Sequence, residues 1–231
     1  MPVLVNPSRF GTAPSGSAYD AVINALSPSA RWKLDDTTGT AAAATVGSNG
    51  TYNSSPTLGA TGLVGDGGTA VTTNGTSSAI ELPMPTLGTA GSIILWSAHG
   101  AGGADGVPIM RDRTSAGGTG WFIDITGTGG INVRVAGQNH GIASVTASTL
   151  RTGARHLYVL TTDGSTVTFY IDSGTPVDSW ARSAAFSNIS TAFRLGQNGN
   201  ASQFYGGTFD DFAIVNSVIT GTDVANLIAA S

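Results

Sequence analysis

The chain contains no cysteine and few charges: Lys33 is the only lysine, Glu81 is the only glutamate, and 10% of the 231 residues are charged. The lack of cysteine excludes disulfides, thiolate catalysis and cysteine-based zinc or iron–sulfur sites, and it leaves the redox compartment open. The formal net charge of −4 provides no basic field for nucleic acid and no polybasic patch for a membrane surface. We therefore predict neither a nucleic acid nor a membrane as a partner.

Long apolar segments are missing as well. No stretch reaches the ~20 apolar residues that span a bilayer. Residues 1–10 lack a basic segment followed by an apolar run, so no signal peptide for secretion is predicted. The length suits one large all-β domain that buries enough surface to fold without disulfides. Glycine, alanine, threonine and serine are abundant, which fits packed β-structure in a large assembly but also a GC-rich genome.

Strand patterns are separated by turn signals roughly every 8–12 residues. Residues 93–96 form a continuous apolar run, which is typical of a strand covered on both faces. Residues 121–125 and 131–135 alternate around a glycine-rich turn and predict a hairpin, in which Phe122 and Asp124 share one face. Asp163-Gly164 between two alternating segments predicts a tight turn. Together these signals predict an all-β fold of two antiparallel sheets packed as a jelly-roll sandwich over residues 18–231.

Two short flanking helices are also predicted. The first covers residues 18–26 and ends at Pro28. The members of its apolar face are Ala18, Val22, Ala25 and Leu26. The second begins at a cap formed by Thr220 or Thr222. The residues that face the sheet are Val224, Leu227 and Ile228.

Residues 1–17 are rich in proline, glycine and serine and predict an extended N-terminal arm. Prolines keep such a segment extended and lower the entropy lost when it becomes ordered. The apolar side chains of the arm are Val3, Leu4, Val5 and Phe10. We predict that these four residues dock onto another protein of an assembly or onto a second copy of the chain. The alternative is that the arm folds back on its own sandwich.

The order of short motifs along the chain resembles that of a known superfamily. These motifs are Tyr19, Arg-Trp-Lys-Leu-Asp-Asp (31–36), Gly-Thr-Ala (39–41), Gly-Thr-Tyr (50–52), Asn-Gly (74–75), Ile-Glu-Leu-Pro (80–83) and the strand at 207–214. In this order they resemble the concanavalin A-like lectin/glucanase superfamily, in its laminin-G-like jelly-roll branch. The opening at 19–36 and the Asn-Pro-Ser-Arg-Phe start (6–10) further resemble tailed-bacteriophage virion proteins that carry this domain.

This resemblance implies a non-enzymatic virion structural protein, either a capsid decoration protein or a minor tail protein. Its implied partners are other virion proteins and copies of itself, and its implied location is the virion, assembled in the host cytoplasm. A carbohydrate-binding adhesion module that recognises host envelope glycans is the alternative. A polysaccharide hydrolase is a weaker alternative.

The acidic residues of the sequence give little support to a hydrolytic function. Glucanases of the superfamily use a Glu-x-Asp-x-x-Glu strand, which a chain with one glutamate cannot contain. Retaining hydrolysis needs two carboxylates about 5 Å apart. Adjacent residues of a strand point to opposite faces, so neither Asp35-Asp36 nor Asp210-Asp211 is expected to form such a pair. We predict that the chain is not an enzyme.

A calcium site is an open alternative to having no cofactor. Asp66 lies in a glycine-rich loop, and the aspartates that strand ends would bring to it are Asp35, Asp36, Asp210 and Asp211. Such carboxylates provide the hard oxygen ligands that calcium prefers. Residues 44–50 and 73–75 lack two acidic positions that relatives often carry. The favoured interpretation is therefore that the aspartates accept hydrogen bonds from turn backbones.

Glycan binding requires an aromatic platform with polar neighbours. Trp180 and Tyr205 lie in loop-like contexts and are the predicted surface rings. Their predicted amide partners are Gln197, Asn198, Asn200 and Gln203. The other tryptophans, Trp32, Trp96 and Trp121, lie in strand patterns and are predicted to belong to the core.

Overall fold

The computed structural model describes residues 17–100, 107–112, 121–125, 130–135, 138–183, 192–198 and 203–231. These residues form two antiparallel sheets and three helices. The predicted arm, except for Ser17, lies outside the described residues. No helix in the described ranges is long and apolar enough to cross a membrane.

The strands and helices are numbered in chain order. Sheet A consists of β1 (Ala30–Trp32), β3 (Ala44–Val46), β5 (Thr57–Thr61), β6 (Thr69–Asn74), β8 (Gly91–His99), β13 (Arg155–Thr162), β14 (Thr166–Ile171), β15 (Asp178–Ala181) and β17 (Gly206–Val215). Sheet B consists of β2 (Ala41–Ala42), β4 (Gly50–Asn53), β7 (Ala79–Pro83), β9 (Val107–Asp112), β10 (Phe122–Ile125), β11 (Ile131–Val135), β12 (Gln138–Ile142) and β16 (Ala192–Leu195). The helices are α1 (Ala18–Ala25), α2 (Ala147–Leu150) and α3 (Gly221–Ala230).

Sheet A has the order β15-β14-β13-β8-β17-β1-β3. Outside this order, β6 also pairs with β17, and β5 pairs with β6. Sheet B has the order β12-β11-β10-β9-β16-β7-β4-β2. Seven of the fifteen described pairings join strands that are distant in sequence, as in a jelly roll, and every described pairing is antiparallel. The prediction of a two-sheet antiparallel sandwich is confirmed.

The main core lies between the sheets and receives every second side chain of the strands. Trp32 and Trp121 are fully buried there, as predicted. In β10 and β11 the inward residues alternate with Phe122, Asp124 and Arg134, which confirms the predicted hairpin strands. The Asp163-Gly164 turn is also confirmed: Asp163 Oδ1 accepts hydrogen bonds from the backbone of the next strand, and Gly164 has a φ of 94°.

A second apolar layer lies between the outer face of sheet A and the helices α1 and α3. All nine residues of β8 are therefore buried, and Trp96 packs on this outer side, where its Nε1 donates to Tyr19 Oη at 3.0 Å. α1 buries Tyr19 and Ile23, whereas Ala18 and Ala25 are exposed. The predicted α1 face is confirmed for Val22 and Leu26, which pack against this layer, and wrong for Ala18 and Ala25, because the larger side chains of Tyr19 and Ile23 bury more area than alanines.

The C-terminal helix α3 begins as predicted. Thr220 caps it and forms a capping box with Asp223, since each side chain accepts a hydrogen bond from the other residue's backbone N–H. Val224 and Leu227 are buried against sheet A, and Ile228 packs at the margin. The helix therefore seals the outer face of the sheet.

Candidate functional site

Tyr205, one of the two predicted surface rings, is completely buried. Its ring stacks on His99 at 4.2 Å between centroids, and its hydroxyl lies 3.1 Å from Ser97 Oγ. The residue precedes β17 and continues its alternation, so the ring enters the core beside Phe209. The prediction of an exposed ring is wrong for Tyr205, because this segment is a strand extension rather than a loop.

The predicted amide residues close a hairpin loop. Gln197 and Asn198 are 7% and 3% exposed. Asn198 Nδ2 donates to Gln203 Oε1 at 3.1 Å, and the Gln203 backbone N–H donates to Asn198 Oδ1 at 3.2 Å. Gln197 Oε1 accepts a hydrogen bond from Arg194 at 2.8 Å. These amides bind the protein itself, and Asn200 lies outside the described residues.

Trp180 lies at one lateral edge of the sandwich, where the last strands of the two sheets, β12 and β15, meet. Its ring stacks on His140 with 4.0 Å between centroids and an interplanar angle of 8°. His140 Nε2 donates to Asp178 Oδ2 at 2.9 Å, which ties β12 to β15. Trp180 is half-buried, and one ring face is covered by His140. We call His140, Asp178 and Trp180 the lateral clasp.

Three of the predicted calcium ligands accept hydrogen bonds, pair with Lys33 or lie in solvent: Asp66 Oδ2 lies 3.0 Å from Lys33 Nζ. Asp36 Oδ2 accepts from Tyr52 Oη at 2.7 Å and from the Ala43 backbone at 3.0 Å. Asp66 Oδ1 accepts from the Gly68 backbone at 2.8 Å, while Asp35 is exposed. The ranges that the structure describes contain no group of three or more histidines or acidic residues arranged to hold a metal ion.

The two remaining candidates, Asp210 and Asp211, lie under α1. A bulge in β17 places Asp210 opposite Trp96, and Asp211 is the extra residue, with a φ of 45°. Asp210 Oδ2 accepts the backbone N–H groups of Leu63 and Val64 at 2.7 and 3.0 Å. Burial raises the pKa of Asp210 to about 7. Because of the bulge both carboxylates face the helix side, so the expectation of opposite faces is wrong here.

Asp211 is part of a buried ion network. Its carboxylate contacts Arg31 through Nη2 and, at 3.0 Å, through Nε. Arg31 Nη2 also lies 2.6 Å from Asp20 Oδ1 of α1. The Arg31 and Asp211 side chains are 2% and 1% exposed. This network fixes α1 to the sheet, and it leaves Asp211 no access to a ligand in solvent.

The outer face of sheet B differs, because among the described residues no helix packs on it. Five side chains lie in register across five adjacent strands of this face: Glu81, Arg194, Arg111, Phe122 and Arg134. Neighbouring strands are ~4.8 Å apart, so the row is roughly 19 Å long. We call these five residues the arginine row.

The arginines of the row contact a carboxylate, an aromatic ring or both. Arg194 binds Glu81 Oε2 through Nε and Nη2 at 3.1 and 3.0 Å. Arg111 Nη2 lies 3.0 Å from Asp124 Oδ2, and the Arg111 guanidinium carbon lies 4.3 Å from the Phe122 ring centroid. The Arg134 guanidinium lies 5.5 Å from the same centroid. These contacts hold the guanidinium groups in defined positions on the face.

Asp124 lies beside the row and is 6% exposed. Its Oδ1 atom is buried and has no hydrogen-bond partner among the described residues. Burial raises the pKa of Asp124 to about 6, although Arg111 and Arg134 act in the opposite direction. A buried carboxylate oxygen without a donor is costly, so its presence at this position calls for an explanation other than stability.

The sequence predicted only part of this face. Alternation placed Phe122 and Asp124 together, with Arg134 on the facing strand. Arg111, Arg194 and Glu81 join them through pairings between strands that are far apart in sequence. No local sequence pattern predicts the register of these pairings. The single glutamate, Glu81, was the one signal that could have drawn attention to this face.

Comparison with solved structures identifies similar folds. Domain 4 of AbnA, a GH43 extracellular arabinanase from Geobacillus stearothermophilus solved in complex with arabinotriose, has a TM-score of 0.62 and 19% identity, over 88% of this chain and 98% of that one. The receptor-binding domain of botulinum neurotoxin C/D mosaic serotype has a TM-score of 0.62 and 13% identity, over 88% and 51%. Trypanosoma rangeli sialidase has a TM-score of 0.59 and 10% identity, over 86% and 32%.

This chain therefore spans nearly all of the arabinanase domain but about half of the toxin domain and a third of the sialidase. At these identities the likenesses show the fold alone. A search of curated proteins gives no match. Residues 74–225, well over half of the chain, match the sequence profile of the family described as the concanavalin A-like lectin/glucanases superfamily, and the chain belongs to that superfamily.

Proposed function

We propose that this chain is a non-enzymatic carbohydrate-binding domain whose binding site is the outer face of sheet B around the arginine row. The observation that carries the proposal is the buried, unpartnered Asp124 Oδ1 beside Arg111. Sugar hydroxyls both donate and accept hydrogen bonds. A carboxylate acceptor next to a guanidinium donor matches that chemistry on a face that no described helix covers.

The arabinanase domain supports the proposal. It was solved with arabinotriose, and this chain aligns with nearly its whole length. The comparison is therefore between complete domains rather than between a domain and a fragment of a larger enzyme. A sandwich of this shape is able to hold a short oligosaccharide without a second domain.

The arrangement of carboxylates favours binding over hydrolysis. Glu81 and Asp124 are the acidic residues at the row, and each is held by an arginine. Glu81 on β7 and Asp124 on β10 are three strand steps apart, about 14 Å. Glycosidases place their two carboxyl groups roughly 5–9.5 Å apart. We therefore propose that the chain binds sugar without cleaving it.

We further propose that the domain is displayed on a bacteriophage particle, as a capsid decoration or minor tail protein. The support is the sequence resemblance of residues 19–36 and 6–10 to virion proteins. Display in many copies suits a weak site, because a millimolar affinity of about −4 kcal/mol becomes effective when many sites bind together. Mass spectrometry of purified particles tests this setting, and absence of the chain from them would overturn it.

A glycan array with protein coupled in many copies to a bead tests the binding proposal. We expect binding that Asp124→Ala abolishes and that the matched variant Asp163→Ala, in an exposed turn at the other sheet, leaves unchanged. The same glycans, incubated with the protein, should release no reducing ends. A blank array, or equal binding by the Asp124→Ala protein with an unchanged melting temperature, would contradict the proposal.

A further inference from the structure

We infer that His99 is an acid-sensitive lock: protonation of its ring releases the end of sheet A at which β8 ends and β17 begins. His99 is the last residue of β8 and is 1% exposed. The lock is independent of the carbohydrate-binding proposal. Three features of the molecule support it: the contacts of the His99 ring, the surroundings of its Nε2 atom and the charges on the neighbouring elements.

His99 holds together segments that are far apart in sequence. Its ring stacks on the buried Tyr205 ring with 4.2 Å between centroids and 16° between planes. Its Nδ1 donates to the Gly206 carbonyl at 3.1 Å, and the His99 carbonyl accepts the Gly153 backbone N–H at 2.8 Å. In the pairing of β8 with β17, His99 lies opposite Gly207. The ring therefore closes this end of sheet A over Tyr205.

The hydrogen bond to Gly206 fixes the tautomer of the neutral His99 ring. A carbonyl oxygen can only accept, so Nδ1 carries the proton and Nε2 keeps a lone pair. Nε2 is buried and has no hydrogen-bond partner among the described residues. Acid must therefore protonate this atom, which places a charged N–H donor where the described residues provide no acceptor. Such a charge is costly unless the ring moves into water.

The charges around the ring also oppose its protonation. The charged or titratable groups on the neighbouring elements are Arg151 after α2, Tyr205 before β17, and His156 and Tyr158 on β13, while β6 contributes none. Asp172, the acidic residue after β14, pairs with His156 at 2.6 Å, so it does not compensate a charge on His99. Burial lowers the pKa of His99, and Arg151 lowers it further, whereas the bond to Gly206 acts in the opposite direction.

The direction of the pH effect follows from this lowered pKa. An exposed histidine binds a proton near pH 6.5, and the closed His99 ring does so only at a lower pH. Between these values the opened state holds a proton that the closed state lacks, so opening becomes more favourable as pH falls below about 6.5. Asp210 changes global stability in the opposite direction, so the lock requires a local measurement.

Hydrogen exchange of the full chain at pH 7.5 and pH 5.0 tests the lock, with rates converted to protection factors so that the intrinsic effect of pH cancels. We expect protection of residues 97–99 and 205–208 to fall at least 10-fold in acid. Residues 92–95 and 212–215, which pair at the other end of the same strands, should keep theirs. His99→Phe keeps a ring that can stack on Tyr205 but cannot be protonated, so it should abolish the fall. The matched variant His156→Gln should leave the fall unchanged.

A second variant covers the case in which the larger ring of His99→Phe prevents folding. His99→Gln keeps an N–H donor for the Gly206 carbonyl without a titratable nitrogen, and it should likewise abolish the acid-induced fall. Equal protection at the two pH values in the wild type, or a fall that persists in the folded His99 variant, would overturn the lock. Suppression of the fall by His156→Gln would assign the effect to the other histidine. Loss of protection throughout both strands would show global acid unfolding and would also overturn the inference.

Discussion

The two outer faces of the sandwich carry charged residues in opposite ways. Sheet A hides its charges under a helix: the Arg31 and Asp211 side chains are 2% and 1% exposed beneath α1. Sheet B keeps its charges on an outer face, where the Arg194 and Glu81 side chains are 15% and 23% exposed. The same type of Arg–carboxylate pair therefore fixes helix α1 to sheet A, whereas on sheet B it leaves the charged groups within reach of solvent.

The comparison shows that the surroundings of an ion pair, rather than its geometry, decide its role. A buried pair is costly to break, because the remaining partner is left charged without solvent. A partly exposed pair contributes less to stability, because solvent still reaches both charged groups. We expect four measurements to sharpen this contrast.

The largest effect is expected for Arg31→Met. Loss of Arg31 leaves Asp211 buried without a cation, which should lower the free energy of unfolding by about 3–5 kcal/mol. Urea unfolding followed by tryptophan fluorescence measures the loss. A loss below about 1 kcal/mol, the range of exposed pairs, would remove the distinction between the two faces.

A second effect concerns the pH dependence of stability on the sheet A side. The folded pKa of Asp210, raised to about 7 by burial, exceeds its value near 4 in the unfolded chain. Between these two pKa values the Asp210 carboxyl is protonated in the folded state and ionised in the unfolded state. The free energy of unfolding therefore falls as pH rises from 4 to 7, by at most about 1.4 kcal/mol per pH unit. Asp210→Asn keeps an acceptor for the Leu63 and Val64 N–H groups and should remove this fall.

The measurement is the difference between unfolding curves of the wild type and Asp210→Asn from pH 4 to 8. Asp124→Asn is the matched control on sheet B. Its folded pKa of about 6 predicts a narrower window that ends near pH 6. Parallel stability profiles for the wild type and Asp210→Asn would show that Asp210 stays ionised throughout.

A third measurement concerns the lateral clasp, which joins the two sheets. Trp180→Ala removes a half-buried ring that stacks on His140 and should cost roughly 1–3 kcal/mol, less than a fully buried tryptophan. Glycan binding should not change. A variant with wild-type stability but lost binding would instead support the sequence-based prediction that Trp180 is a glycan platform.

The smallest effect is expected for the partly exposed Arg194–Glu81 pair of sheet B. A double-mutant cycle with Arg194→Met and Glu81→Gln should give a coupling energy of about 0.2–1 kcal/mol, which decreases at high salt. Thermal unfolding of the four proteins provides the value. A coupling above about 2 kcal/mol would make this pair structural, like the pair under α1.

The sequence was a good guide to the fold because the relevant signals are local. The alternation in β10 and β11, the Asp163-Gly164 turn and the Thr220 cap each depend on neighbours within a few residues. The site was harder to predict, because cross-strand register is not local. Tyr205 follows a glycine- and asparagine-rich segment but continues the alternation of β17, which begins at the next residue. The bulge at Asp211 shifts the alternation without a proline or glycine to mark it.

The strict alternation of β16 has a consequence for how the chain tolerates change. Phe193 and Leu195 belong to the core, while Arg194 between them belongs to the outer face. Substitutions at 194 can therefore change the outer face without disturbing the core. A deletion of one residue, however, would turn the arginine inward and the two apolar side chains outward. Variation at this face should therefore accumulate as replacements within strands, and insertions should be confined to the loops.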